Sequence, residues 1–279
     1  MPQRRIMTDD QWLDVFKNIG KQMFNEVSAF LSKEGGAVPL GNGAGGDKTF
    51  PVDKWAEDII ISALENVHRS GECFTVISEE LGIRKLGEAG TVVLVDPIDG
   101  SNNAKSGVPF FSTSIALLDN ERLSSLRVGY VMNLAAGDEF WAIKGAGAYL
   151  NGRRIETPKS EAISVVAYEA SNPASDIPRI MPLLKAASRT RCFGSTALDL
   201  AYLASGAFSV FVTATASRAF DYAAGMLILL EAGGVLADLS GRPLDGIVVG
   251  LYRTVPILAC KNEKSLRRAL AALSGHSRQ

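Results

Sequence analysis

Residues 91–105 read TVVLVDPIDGSNNAK, and this stretch decides the architecture. Thr91–Val95 is an unbroken run of strand-forming residues, the pattern of a strand buried on both faces. Asp96 ends it, Pro97 stops the ladder because it has no amide to donate, and Asp99-Gly100-Ser101 turns into a helix start. Carboxylates at strand ends of an open α/β sheet face the crevice where ligands bind. Two of them on a sharp turn can converge on a hard cation, which favours oxygen ligands. Gly100 permits close backbone approach, and the amides of Gly100 and Ser101 can bind an anion at the helix start. The plain alternative is a turn that merely ends a strand, since Asp-Pro and Asp-Gly are common turn pairs.

Working outward, two more acidic features flank this stretch. Ser78-Glu79-Glu80 closes another short apolar run (Phe74, Val76, Ile77). Adjacent carboxylates there repel unless solvated, protonated or bound to cations; a solvated loop is the bland alternative. Downstream, Phe220-Asp221-Tyr222-Ala223-Ala224-Gly225 opens a strongly apolar helix that runs into Glu231-Ala232-Gly233-Gly234. Asp221 suits an N-cap, a role compatible with metal ligation because a carboxylate has two oxygens.

The rest of the chain alternates helix and strand patterns. Thr8–Lys33 spaces Trp12, Phe16, Ile19, Met23, Val27 and Phe30 on one helical face until glycines and Pro39 break it. A second helix over Asp53–Arg69 turns Trp55, Ile59, Ile60 and Leu64 inward. Strands are predicted at Cys73–Ile77, Thr91–Val95, Phe111–Leu118, Leu123–Met132 and Glu139–Ile143. Asn151-Gly152 predicts a hairpin between Ala148–Leu150 and Arg153–Ile155. Beyond Pro158 the spacing predicts strands at Ile163–Tyr168, Phe208–Val212, Gly234–Ala237 and Pro256–Ala259. Helices are predicted over Ile177–Ala187, Ala197–Ser205, Asp221–Ala232 and Glu263–Leu273. The chain therefore divides softly into an N-terminal α+β part, 1–155, and a C-terminal α/β part, 156–279.

Composition narrows the function. The 279 residues carry 29 Lys+Arg against 30 Asp+Glu, leaving no basic footprint for nucleic acid. Only His68 and His276 are present, which excludes histidine-rich metal sites and a histidine relay, so acid–base and metal chemistry must rest on carboxylates. Cys73, Cys192 and Cys260 form neither a disulfide framework nor a zinc set, and Cys192 is expected to pack inside a strand. MPQRRIMTDDQW does not read as a signal peptide, and the longest apolar stretch, Ala223–Leu230, is far shorter than the roughly 20 residues of a membrane span. A soluble, cytoplasmic protein is expected. Lys261, Lys264, Arg267 and Arg268 read as a solvated basic face on the last helix.

Gly41–Gly46, GNGAGG, spells a dinucleotide fingerprint literally, but the motif requires a strand before it and a helix directly after it. A helix precedes it here and Asp47-Lys48-Thr49-Phe50-Pro51 follows, so a flexible loop is the reading.

The ordered set Ser78-Glu79-Glu80, Asp96-Pro97-Ile98-Asp99-Gly100-Ser101 and Asp221-Tyr222-Ala223-Ala224-Gly225 resembles the inositol monophosphatase superfamily of magnesium-dependent phosphomonoesterases. Arg191-Cys192-Phe193-Gly194-Ser195 with Asp199 and Gly206, and Ser217-Arg218, look most like its archaeal-type branch, whose members commonly hydrolyse both inositol-1-phosphate and fructose-1,6-bisphosphate. The resemblance implies an α/β (α+β) fold, a sandwich of alternating α-β-α-β-α layers of the sugar-phosphatase type. It implies that Glu79, Asp96 and the carbonyl of Ile98 hold one Mg²⁺, that Asp96, Asp99 and Asp221 hold a second, and that a weaker third leans on Glu79; Mn²⁺ is an alternative ion. Gly100 and Ser101 would grip the phosphate, and Asp53 with the Ser101 hydroxyl would position and deprotonate the attacking water. Ser101 stands where the family usually has Thr, keeping the hydroxyl without the methyl that stiffens χ1. Ser195 matches a position near the sugar hydroxyls, and Arg191 and Arg218 could meet a second phosphate. The acidic residue that many inositol-preferring members place seven positions before Asp221 is replaced by Ala214, which counts against a strict inositol preference. The family also suggests a homodimer.

The chemistry is self-consistent. Paired cations neutralise an anionic ester and acidify water, so neither a histidine nor a covalent nucleophile is needed. A DxD phosphatase is excluded because Asp96 and Asp99 are three apart, and Arg191-Cys192-Phe193 lacks the arginine-rich loop of a cysteine phosphatase. The rival substrates are a nucleotide 3′-phosphate or NADP; outside enzymes, the rival is a non-catalytic polyol-phosphate binder.

Overall fold

The computed structural model describes residues 7–33, 41–46 and 48–275. The N-terminal arginines, Pro39, Asp47 and His276 lie outside the described residues. Helix α1 (Asp9–Lys33) is followed by the short pair β1 (Gly41–Asn42) and β2 (Lys48–Thr49), then by α2 (Pro51–Arg69). Next come β3 (Phe74–Ser78), β4 (Gly82–Leu86), β5 (Val92–Asp99), α3 (Ser101–Ser106), β6 (Ser112–Leu118), β7 (Leu126–Asn133), β8 (Glu139–Ile143), β9 (Gly147–Leu150) and β10 (Arg153–Ile155). The chain continues through β11 (Val165–Glu169), α4 (Pro173–Ala186), β12 (Arg189–Arg191), α5 (Thr196–Ala204), β13 (Val210–Arg218) and α6 (Ala219–Glu231). It closes with β14 (Val235–Ala237), β15 (Arg253–Cys260) and α7 (Glu263–Leu273).

Two sheets result. The larger takes the order β10-β9-β8-β7-β6-β5-β3-β4, and the smaller β12-β11-β13-β15-β14. Their three cores define five layers: α1 and α2, the large sheet, α5 and α6, the small sheet, then α4 and α7. This is the alternating α-β-α-β-α sandwich. Strand β5 shows why its sequence is apolar throughout: Val93 and Val95 face α1 and α2, while Val92 and Leu94 face α5 and α6. Helix α6 lies between two sheets, so ten of its 13 residues are buried, on every side of the helix, as a helix without a polar face requires. Its close approach to β7 depends on Gly129, where a Cβ would stand 2.7 Å from the Ala224 carbonyl oxygen.

Several expectations are corrected. The two unpredicted longer strand segments, β4 and β12, are sheet edges that carry Arg84, Lys85, Arg189 and Arg191. Charge on edges discourages pairing with other chains and erases the alternation a reader looks for. Strand β13 does not end at Val212 but continues to Arg218 through irregular register with β15. Trp55 and Ile59 are only half-buried; Trp55 stacks on Phe30, ring centroids 4.9 Å apart, along a groove between α1 and α2. Lys261 is buried, not solvated, and donates to the Ala162 carbonyl at 2.9 Å. Cys192 is exposed rather than packed in a strand. The Asn151-Gly152 hairpin is present, with positive φ at both residues as a type I′ turn demands. Among the described residues no helix is long and apolar enough to cross a membrane.

Candidate active site

The Asp-Pro-Ile-Asp turn works through a bulge. Asp96 pairs with Ser114 of β6 and Asp99 with Ser112, so three steps on β5 oppose two on β6. In a flat strand residues three apart face opposite sides. The extra residue at Pro97–Ile98 turns Asp99 back to the side of Asp96. Pro97 thus interrupts the ladder without ending it, correcting the expectation that the strand stops there. Both carboxylates line a polar cleft of about 520 Å³, together with Glu79 from the end of β3 and Asp221 from the start of α6. Gly100, Ser101 and the backbone of Ile98 complete that wall. Gly100 has φ +90°, and a Cβ there would lie 2.9 Å from the Gly194 carbonyl oxygen, so only glycine fits the turn into α3.

Asp96 is buried, and its Oδ1 has no hydrogen-bond partner. Burial raises its pKa well above the usual carboxylate range, reinforced by the charges of Glu79, Asp99, Asp221 and Asp53. Asp99 is pushed up to about 7, chiefly by burial, against the lowering effect of hydrogen bonds from Ser195 and the Ala197 amide. Asp221 accepts from the Arg218 amide at 2.8 Å; α6 begins at Ala219, so Asp221 stands at the third helical position and reaches back to the first turn, and Arg218, not Asp221, is the N-cap residue. Among the described residues no three such side chains already surround one point; Asp99 and Asp221 each commit one oxygen to backbone amides. The donor set still suits a hard cation. It is all oxygen and mutually repelling, and it holds a buried carboxylate oxygen that lacks a partner.

Asp53 lies in the first turn of α2, where its Oδ2 accepts the Phe50 amide at 2.8 Å. Its buried Oδ1 lacks a partner, and burial raises its pKa to about 6, opposed by the Phe50 amide and the Lys105 charge.

The three expected substrate contacts sit in different surroundings. Ser195 is buried; its hydroxyl donates to Asp99 at 2.6 Å and accepts the Leu198 amide to cap α5. Arg191 is exposed on edge strand β12 and does not line the cleft. Arg218 does line it, but is buried, 3.7 Å from Glu79 and bonded to the Gly45 carbonyl. The glycine loop is not an isolated flexible segment: the Ala44 and Gly45 amides donate to the carbonyls of Glu80 and Glu79 at 3.1 and 2.7 Å. Ala214 points into the core beside α4 and α7, leaving Thr213 and Thr215 on the cleft wall.

Sequence reasoning gave no site role to Glu169 or Arg253, and it named Asp199 only as part of the branch resemblance. Glu169 lines the cleft at the end of β11 and accepts the Gly194 amide at 2.7 Å; burial raises its pKa. The strand-end rule that found Asp96 would have found it too. Asp199 is wholly buried with neither oxygen hydrogen-bonded, and burial, Glu169 and Asp99 hold its pKa well above normal. Nothing in the sequence around Arg253 marks it.

The chain and its layered fold are similar to known proteins. Residues 14–277 match the inositol monophosphatase family model. A fructose-1,6-bisphosphatase/inositol-1-monophosphatase of Methanothermobacter thermautotrophicus is 33% identical over 89% of this chain and 91% of its own length. A bifunctional NADP phosphatase/NAD kinase of Methanococcus maripaludis is 30% identical over 95% of this chain but 49% of its own. A crystal structure titled inositol monophosphatase-fructose 1,6 bisphosphatase superposes with TM-score 0.82 at 28% identity, covering 94% of this chain and 99% of that one. With the family model spanning nearly the whole chain and the ordered acidic motifs meeting in one cleft, this protein belongs to the inositol monophosphatase family.

Proposed function

We propose that this phosphomonoesterase hydrolyses small polyol and sugar phosphates, inositol-1-phosphate and fructose-1,6-bisphosphate among them, with Mg²⁺ or Mn²⁺ as cofactor. The observation that carries this reading is the meeting of Glu79, Asp96, Asp99 and Asp221 in one polar cleft beside the Gly100–Ser101 turn. Glu79, Asp96, the Ile98 carbonyl, Asp99 and Asp221 would hold two to three ions. Bound divalent cations supply charge neutralisation for an anionic ester and acidify water. The chain's own residues do the rest. The amides of Gly100 and Ser101 hold the phosphate. Asp53, with a pKa of about 6, and the Ser101 hydroxyl orient the attacking water, and the Asp53 carboxylate takes its proton near neutral pH. The part formed by residues 1–155 supplies most of these groups, and 156–279 closes the substrate side.

A panel of inositol-1-phosphate, fructose-1,6-bisphosphate, 3′-phosphoadenosine 5′-phosphate and NADP tests the reading. Phosphate release from the first two should require Mg²⁺ and vanish with EDTA; release indifferent to EDTA would overturn it. The similarity to an NADP phosphatase/NAD kinase supports NADP as the second reading, favoured if it gives the highest kcat/KM. A homodimer in a reducing, cytoplasmic setting is part of the same proposal. The three free cysteines support the setting, and light scattering tests the dimer.

A further inference from the structure

Glu79 stands on a turn rather than inside a strand. Ser78 pairs with Gly82, so Glu79, Glu80 and Leu81 form the loop of the β3–β4 hairpin, with Gly82 at φ +84°. Hairpin loops are ordinarily the mobile part of a sheet. This one is held from the side by α2. Glu57 lies one helical turn beyond Asp53, and both side chains are buried. Oε1 of Glu57 accepts the Ser78 hydroxyl at 2.7 Å and the Leu81 amide at 2.6 Å. Those two donors flank Glu79 and Glu80, so a single carboxylate oxygen grips both shoulders of the loop. The backbone completes the frame, because the Glu79 amide donates to the Val95 carbonyl at 3.3 Å.

A buried carboxylate is costly unless it is hydrogen-bonded. An apolar side chain at position 57 would fill the same space without taking a charge out of water, so what the carboxylate adds is the pair of bonds. Glu57 does not line the cleft; it reaches the cleft through the loop that carries Glu79.

We propose that Glu57 is a positioning residue, seating the 79–81 loop so that Glu79 presents its carboxylate to a divalent cation in the cleft. Resting on the function proposed above, this makes α2 the common support of Asp53 and of the loop bearing Glu79, which keeps base and cation ligand at a fixed spacing.

The test compares wild type with E57A, E57Q and S78A. Mg²⁺ affinity is read by calorimetry, and the seating of the loop by hydrogen exchange at the Leu81 amide. E57A should weaken Mg²⁺ binding about 10- to 100-fold, the cost typical of losing an outer partner of a metal ligand, and should speed Leu81 exchange. S78A removes one of the two bonds and should give a smaller loss in the same direction; it carries the comparison should E57A not fold. E57Q keeps an oxygen able to accept both bonds and should stay close to wild type in both readouts. Mg²⁺ affinity within two-fold of wild type in S78A and E57A would overturn the proposal while leaving the phosphatase reading intact. A loss in E57Q as large as that in E57A would overturn it too, by showing that the charge matters and the pair of bonds does not. If wild type takes up no Mg²⁺ but Leu81 exchange still speeds in E57A and not in E57Q, the cation reading fails and the seating of the loop by Glu57 stands.

Discussion

The hydroxyl of Ser195 donates to Oδ2 of Asp99 across 2.6 Å, joining residues 96 positions apart and tying the helix cap of α5 to the bulged end of β5. Ser195 therefore positions the Asp99 carboxylate. Ser195→Ala removes a buried hydrogen bond to a carboxylate and a helix cap together. A stability loss of about 2 kcal/mol is expected, read by denaturant unfolding. Because that bond lowers the Asp99 pKa, its loss should move the acid limb of the pH–rate profile upward. An unmoved limb would show that Asp99 does not depend on Ser195.

Asp96 opposes stability while serving the site. With a partnerless buried oxygen and four acidic neighbours, it destabilises the cation-free protein when ionised. Asp96→Asn should raise the melting temperature in EDTA and cut Mg²⁺-dependent turnover by more than the 10- to 100-fold typical of losing an outer partner of a metal ligand. Near-normal turnover would remove Asp96 from the cation site.

The same electrostatics sets a pH dependence. Asp99 at about 7 and Asp53 at about 6 both lie above ordinary unfolded carboxylates near 4. Between those limits the native state binds more protons than the unfolded state, so stability falls as pH rises. The cation-free protein should lose melting temperature steadily from about pH 4 to 7, while saturating Mg²⁺ should offset the loss toward pH 7. A flat EDTA curve over that range would contradict the raised values.

Gly129→Ala tests the packing of α6 on β7. The new methyl would stand 2.7 Å from the Ala224 carbonyl oxygen, a backbone atom that cannot swing aside. Destabilisation of roughly 1–3 kcal/mol is expected, read from chemical unfolding. An unchanged midpoint would mean that the helix has room to retreat from the sheet.

Much of this protein was legible along the chain because the signals are local. Apolar periodicity placed the seven-residue spacing of α1, the buried run of β5 and the core of α6, and turn chemistry placed the Asn151-Gly152 hairpin. Asp96, Asp99 and Asp221 could be singled out because carboxylates at strand ends and helix starts have recognisable neighbours. Tertiary structure decided where side chains point. A one-residue bulge, set by pairing with β6, returns Asp99 to the side of Asp96. A two-residue excess in β13 throws Thr215 and Ala216 into the cleft and brings up Arg253. Burial seated the Ser195 hydroxyl on Asp99, and it hid Lys261. Sequence spacing carries the period of an element. Register and burial depend on strands and helices that arrive tens of residues later, so the roles they assign could not be read before those elements met.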